Sequence, residues 1–407
     1  MVCLTPAIPY AFTPFMTAFF KRFHLIAASF LSLGCPILLA QNSTPDGNNP
    51  ASKTIRVATF NAALYGNQSG QLVSRLRGGK NPQAHKIAAI VQTIRPDILL
   101  VNEIDYDEKG LVVKLFGKDY LNVGQRGRAA IEYPYRYAVP SNTGQPSALD
   151  IDSNGSTTDP NDAWGYGVYP GQYAMAVYSR FPILESKIRT FQKYRWSQLP
   201  DALRPTDPGT GKSYYTDDVW NQLRLSSKNH IDVPIQVGQQ VVHLLASHPT
   251  PPVFDGADDH NGCRNHDEIR FWTDYLQGPR ATHLVDDDGN RGGLADHSLF
   301  VIAGDLNSDP ETGDSRRAAI QNLLRHEQLQ DPKPASAAAS ELTGTSESRA
   351  TASFGKNRQM RIDYTLPSRE FILNDAGVFW PSKKNGGQDL IDASDHRMVW
   401  IDIEFRP

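Results

Sequence analysis

At six places a polar residue ends or interrupts an otherwise apolar run. Asn61 closes Val-Ala-Thr-Phe-Asn, and Glu103 closes Leu-Leu-Val-Asn-Glu. His248 closes Leu-Leu-Ala-Ser-His, and Asp305 and Asn307 stand in Val-Ile-Ala-Gly-Asp-Leu-Asn. Asp363 interrupts Met-Arg-Ile-Asp-Tyr, and Asp395 and His396 precede the last apolar run. A carboxylate on a buried strand without a partner is costly, or it neutralises by protonation. Taken singly, each residue reads as a turn residue, a cap or half of an ion pair. Together, so many acids on apolar strands imply that they meet around a cation. The chemistry this suggests is the binding of a cation by clustered carboxylates.

The elements that must position these residues alternate along the chain. Strands are predicted at Ile55–Asn61, Ile98–Val101, Ala174–Ser179, Val241–Ser247, Leu299–Ala303, Arg361–Leu366 and Met398–Phe405. A helix is predicted over Pro82–Arg95, with Asn81 as its cap and Ile87, Ile90, Val91 and Ile94 on one face. A second is predicted over Asp267–Leu276, where Asn265 and Glu268 have capping-box spacing. A third covers Arg316–Gln328. The alternation is an α/β pattern, in which ligand sites form beyond strand ends. Residues 140–172, 187–230 and 332–357 read as long loops or insertions.

The ordered set from Asn61 to His396 resembles the endonuclease/exonuclease/phosphatase superfamily. Gly-Asp-Leu-Asn, Arg-Ile-Asp-Tyr and Ser-Asp-His are the most specific parts, and His248 in Ser-His-Pro resembles the deoxyribonuclease-like branch. The resemblance implies a four-layer α/β/β/α sandwich, two mixed sheets flanked by helices, over residues 53–407 as one domain. It also implies roles. Glu103 and Asp395, with Asn61, would hold a divalent cation; oxygen ligands suit Mg²⁺ or Mn²⁺. Asp363 would orient His396. The base that takes the water proton would be either His396 or Asp305, with Asn307 helping to orient it. His248 would assist the leaving oxygen as a general acid.

Other segments carry weaker signals. In Arg-Leu-Ser-Ser-Lys-Asn-His, before an apparent strand, the resemblance to the deoxyribonuclease-like branch implies that Lys228 or His230 touches phosphate, with a solvated loop as the alternative. Arg264 and His266 follow Ser-His-Pro closely enough to reach the rim of a site, with a capped helix start and a charged first turn as the alternative. Asp150, Asp152 and Asn154 have the odd-position oxygens of a Ca²⁺ loop, although position twelve is Asn161 and no helices flank it. Phe191-Gln-Lys-Tyr-Arg-Trp196 mixes aromatic and basic residues, as a strand-gripping lip would, but such aromatics usually pack.

Composition bounds the partners. The 407 residues carry 41 Lys+Arg against 44 Asp+Glu, a formal charge of −3, which excludes a strongly basic nucleic-acid binder. It leaves room for an enzyme acting on a phosphoester, whether nucleic acid, lipid head group or small organophosphate. Lys21 and Arg22, an apolar run over 25–39 and Ala40 read as a cleaved secretory signal at 1–40. Met16 is an alternative start, and 41–52 reads as a linker. The apolar run is shorter than the roughly 18–20 residues a membrane span needs. The protein is therefore expected to be secreted or periplasmic, with no membrane span. Its oligomeric state carries no signal. Cleavage would leave Cys263 as the only cysteine, so no internal disulfide is expected. The expected activity is phosphodiester hydrolysis by in-line attack of water. A phosphomonoesterase on inositol or sugar phosphates is the alternative, and a catalytically silent binding module is an alternative of another class.

Overall fold

The computed structural model describes residues 54–345, 348–355, 358–382 and 386–407. The signal at 1–40 and the linker at 41–52 lie outside the described residues. Strands β1 (Thr54–Leu64), β2 (Ile98–Ile104), β3 (Tyr135–Val139), β4 (Ala174–Ser179), β12 (Phe371–Val378) and β13 (Val399–Phe405) form one sheet, ordered β12-β13-β1-β2-β4-β3. Strands β5 (Arg189–Thr190), β6 (His230–Val237), β7 (Gln240–Ser247), β8 (Leu299–Asp305) and β11 (Asp363–Pro367) form the second, ordered β11-β8-β7-β6-β5. The short strands β9 (Ala352–Ser353) and β10 (Gln359–Met360) pair separately. Both large sheets are mixed: β1 runs parallel to β2 and β7 parallel to β8, among antiparallel neighbours.

Side-chain alternation explains the layers. In β1, Ile55 and Val57 join an apolar layer with Ile231 and Val233 of β6 and Val301 and Ala303 of β8. The intervening Ala58 and Phe60 point the other way. There they pack with helices α1 (Gln71–Leu76), α2 (Pro82–Ile94) and α3 (Leu111–Phe116). Phe300 and Ile302 of β8 face the opposite outer layer, which includes α4 (Asp217–Gln222), α5 (His260–Tyr275) and α6 (Ala318–Leu324). A further short helix, α7, spans Ala337–Thr343. Strands buried on both faces have no polar face, which is why they read as near-continuous apolar runs. The expected helix–sheet–sheet–helix sandwich is the one observed.

Several boundaries differ from expectation. Helix α2 begins as read, with the Asn81 side chain accepting from the Ala84 N–H. Helix α5 starts at His260, seven residues before the expected Asp267. Asn265 therefore caps nothing; its amide donates to the carbonyls of Thr250 and Leu306. The polar residues that mimic a helix start are on the buried face because they tie down loops. Helix α6 is shorter than the expected 316–328. Strands β3 and β12 and helices α1 and α3 were not anticipated. In the loop over 187–230, Phe191, Tyr194 and Trp196 are buried, and Trp196 Nε1 donates to Asp267 at 2.7 Å. That stretch packs rather than grips a strand. Among the described residues, no helix is long and apolar enough to cross a membrane.

Candidate active site

Strand parity brings the chemistry to one end of the inter-sheet layer. Asn61 continues the inward set of Ile55 and Val57, and Asp305 that of Val301 and Ala303. His248 follows Val242, Leu244 and Ala246, while Tyr364 and Leu366 face outward and leave Asp363 facing in. Glu103 breaks this rule. Its place after Val101 would aim it outward, but the ladder shifts register between Asn102 and Ile104, and Glu103 sits at φ 54°. This bulge re-aims the side chain into the site. Gly304 is required for a different reason. At φ 153°, an added Cβ would lie 2.0 Å from the carbonyl oxygen of Ser247, on the strand that delivers His248.

The polar groups form one connected cluster. Asn61 Nδ2 donates to Glu103 Oε1 and to Asp305 Oδ2, each at 3.0 Å. Its Oδ1 accepts from the Ala63 N–H, so Asn61 bridges and orients the two acids. Asp305 Oδ1 accepts from the Asn307 N–H at 2.9 Å; Asn307 sits at φ 52° and donates its own Nδ2 to the Pro249 carbonyl. His248 Nε2 is 3.4 Å from Asp305 Oδ2 and 4.0 Å from Glu103 Oε1. His396 Nδ1 lies 3.0 and 3.1 Å from the Asp363 oxygens, and its Nε2 is 3.7 Å from Asp305 and 4.0 Å from Asp395. Thr351 Oγ1 donates to Asp363, and Ser394 Oγ donates to the Asn61 carbonyl, which clamps the Ser-Asp-His segment onto β1.

Charge is distributed unequally over these groups. Burial alone would depress His396, but the negative charges of Asp363 and Asp305 outweigh it and raise the imidazole to about 10. His396 is therefore a cation at neutral pH. Burial, offset in part by the His396 charge, raises Asp305 to about 7. His248 falls well below its ordinary value, through burial and then the charges of Lys228 and His396. Burial and those charges favour its neutral form. Its Nδ1 is buried with no hydrogen-bond partner among the described residues.

Glu103 and Asp395 offer carboxylate oxygens at the mouth of the cluster and interact through their charges. The buried trio Asp305, Asp363 and His396 also brings ligand atoms within 4.8 Å of one another. Within that trio His396 faces both carboxylates, through Nδ1 to Asp363 and Nε2 to Asp305. Among the described residues Glu103 has no hydrogen-bonded cation. Burial raises it, the charges of His396 and Lys228 and the Asn61 hydrogen bond offset part of that rise, and the charge of Asp395 adds to it. Its side chain is 24% exposed and that of Asp395 52%, so both can reach an ion arriving from solvent. Carboxylate oxygens suit a hard cation.

The remaining expected residues separate. Lys228 is buried, lines the cleft beside Glu103, and is lowered by burial against the charges of Glu268, Glu103 and Asp305. His230 does not reach the site. Its Nδ1 meets Ser226 Oγ at 2.5 Å and its Nε2 the Glu268 carbonyl at 2.7 Å, so both nitrogens are engaged inside the protein. Arg264 lines the cleft, but its Nε and Nη2 bond the carbonyls of Leu225, Trp164 and Arg224, which staples two loops to α5. In the expected calcium loop, Asp150 accepts from the N–H groups of Asn154 and Gly155, and Asp152 from Asn154 N–H and Asn161 Nδ2. Asp162 brings a third carboxylate within 4.8 Å of those two acids, a group that could hold a metal ion. The same oxygens also close the acidic turn through these hydrogen bonds.

Glu268 was missed as a site residue. It is 1% exposed, and its carboxylate accepts from the N–H groups of Ser227 and Thr250, both at 2.6 Å, and from Ser227 Oγ at 3.0 Å. One side chain thus holds the residue before Lys228 and the residue two beyond His248. The capping-box spacing concealed it, and Thr351, within a polar loop, gave no signal.

Residues 58–396 match the Endonuclease/Exonuclease/phosphatase family, and the chain belongs to it. Members of this class, this chain included, are metal-dependent phosphoric ester hydrolases. Among solved structures, it is similar to an endonuclease/exonuclease/phosphatase from Beutenbergia cavernae, at 17% identity and TM-score 0.47, covering 86% of this chain and 72% of that one. It is also similar to sphingomyelinase C from Streptomyces griseocarneus, at 16% identity and TM-score 0.46, covering 86% and 98%. The human Nocturnin catalytic domain with bound sulfate gives 15% identity and TM-score 0.43, covering 87% and 94%. No curated protein matches in sequence.

Two outcomes are expected. Glu268→Gln turns an amide N–H₂ toward a backbone N–H, which costs roughly 1–3 kcal/mol. It should also lower kcat/KM by about tenfold or more, through displaced Lys228 and His248; wild-type melting and turnover would contradict this. The second concerns acid. Burial lowers His230 to about 4, so it is neutral when folded and binds a proton on unfolding below about 6.5. Stability is then full above pH 6.5 and lost as pH falls toward 4. Denaturant unfolding at pH 7.5 and 4.5 should show a smaller acid loss in His230→Gln than in wild type, by on the order of 2 kcal/mol.

Proposed function

We propose that this chain is an exported phosphodiesterase that hydrolyses its substrate by in-line attack of water. The observation that carries the diester reading is the cleft. It is a cavity of about 710 Å³ that holds Glu103 and Lys228 and continues outward between aromatic walls. A phosphate with one small ester group does not need that extension; a second ester group fits it. A polyphosphorylated inositol or sugar would need several free cations along the walls. The basic side chains lining the cleft, other than His260, are Lys228 and Arg264, and Arg264 is committed to carbonyls. A silent binding module has no use for the connected cluster around Asp305. The charged and apolar order of residues 1–40 supports export.

Mg²⁺ or Mn²⁺ held by Glu103 and Asp395 would supply charge stabilisation to the phosphoryl oxygens. The chain's own groups do the rest. Asp305, raised to about 7, accepts the proton of the attacking water. This separates it from His396, which is already protonated and serves as a fixed positive charge toward the phosphate. Asp363 fixes the ring through Nδ1 and leaves Nε2–H facing Asp305 and Asp395. Lys228 adds a second cation at the cleft wall, and neutral His248 offers a hydrogen bond. As the new P–O bond forms, the bond to the leaving oxygen breaks, and that oxygen takes its proton from solvent.

Purified protein should hydrolyse a 4-nitrophenyl phosphodiester in Mn²⁺ or Mg²⁺, lose that activity in EDTA, and prefer the diester to 4-nitrophenyl phosphate. Asp305→Asn and His396→Ala should each lower kcat by about 10²-fold or more. Asp305→Asn should stay folded but lose roughly 1–3 kcal/mol, because its amide turns a donor toward Asn61 Nδ2 or the Asn307 N–H. Preference for the monoester, or near-wild-type rates in either variant, would contradict the reading.

A further inference from the structure

Phe254 lies six residues beyond His248 and lines the outer part of the same cleft. It is 93% exposed and its backbone sits at φ 68°. A bulky residue at positive φ is strained, and a ring standing in water recovers nothing from packing. The strain is nonetheless held in place. The Val253 carbonyl accepts from Asn261 Nδ2 at 2.8 Å, and the Asp255 carboxylate accepts from the N–H of Asn261 at 2.8 Å. Both neighbours of Phe254 are thus pinned to the first turn of α5. Tyr166, 58% exposed, lines the same cleft from the 140–172 insertion. The neighbouring wall offers no row of free cations: it carries Asp152, and His260 is paired with Asp258 at 2.6 Å.

We propose that Phe254 and Tyr166 form a subsite for an uncharged planar ring on the non-leaving side of the phosphodiester. The inference rests on the diesterase reading above. The size of the cleft fits an organic group next to the phosphate, and exposed aromatic faces bind rings by stacking. The shortage of free cations disfavours a polyanionic strand running along this wall. A ring of this kind comes from a nucleobase or from a simple aryl ester.

The test uses the full-length protein in Mn²⁺ with four esters of one leaving group: the methyl, hexyl, phenyl and thymidine 5′ esters of 4-nitrophenyl phosphate. Phe254→Gly and Tyr166→Ala should each lower the kcat/KM preference for the thymidine ester over the methyl ester at least fivefold, mainly through KM. A matching loss for the phenyl ester assigns the subsite to rings in general; loss for thymidine alone assigns it to nucleobases. Phe254→Gly should melt at or above the wild-type temperature, because glycine adopts positive φ without strain. An unchanged thymidine-to-methyl preference in both variants, or an equal loss for the hexyl ester, would overturn the ring subsite and leave the diesterase reading intact. Absence of turnover of all four esters by wild type would overturn both.

Discussion

Two carboxylates stand directly opposite each other where the inter-sheet layer ends. Asp305 on β8 and Asp363 on β11 are register partners, and both are excluded from water. Like charges across a ladder repel, and burial makes each ionised form costly. The His396 imidazolium, with Asp363 on one nitrogen and Asp305 facing the other, is what lets both acids occupy this position. Its charge also governs the rest of the site. It helps keep His248 neutral, and it leaves Asp305 only partly compensated and able to take a proton.

The fold supplies this arrangement through simple means. Inward-facing positions on β1, β7, β8 and β11 line up because alternate residues share a face. Their polar residues come only at strand ends, where the apolar layer stops. One bulge in β2, the neighbour of β1, turns Glu103 in from an outward register. Loops then lock the constellation from behind. Ser394 fixes the His396 segment to β1, Thr351 holds Asp363, and Glu268 ties the Lys228 loop to the His248 loop. A carboxylate holding two backbone N–H groups in a dry interior makes a strong clamp.

Much of this was legible in the sequence, because a buried apolar run seldom ends in Asn, Asp or His unless that residue meets a partner. Strand order and parity then brought together Asn61, His248, Asp305 and Asp363 as expected. What escaped has physical causes. The aim of Glu103 depends on a single positive φ, which no pattern reveals. Glu268 and Asn265 obey a local rule for helix starts, yet tertiary contacts place them inside a longer helix. His230 lies in a basic, polar stretch that reads as exposed, but folding draws it into the core, where its nitrogens find Ser226 and a helix carbonyl. Residues with alternative hydrogen-bonding uses are the ones a sequence places least well.

The proposed division of labour between the Asp305, Asp363 and His396 trio and a cation site at Glu103 is open to direct measurement. Calorimetric titration of Mn²⁺ into wild type, Glu103→Gln and Asp363→Asn separates the two positions. Loss of binding in Glu103→Gln, with near-wild-type affinity in Asp363→Asn, is the expected result. Wild-type affinity in Glu103→Gln, or loss of binding in Asp363→Asn alone, would place the metal among Asp305, Asp363 and His396 and contradict the account.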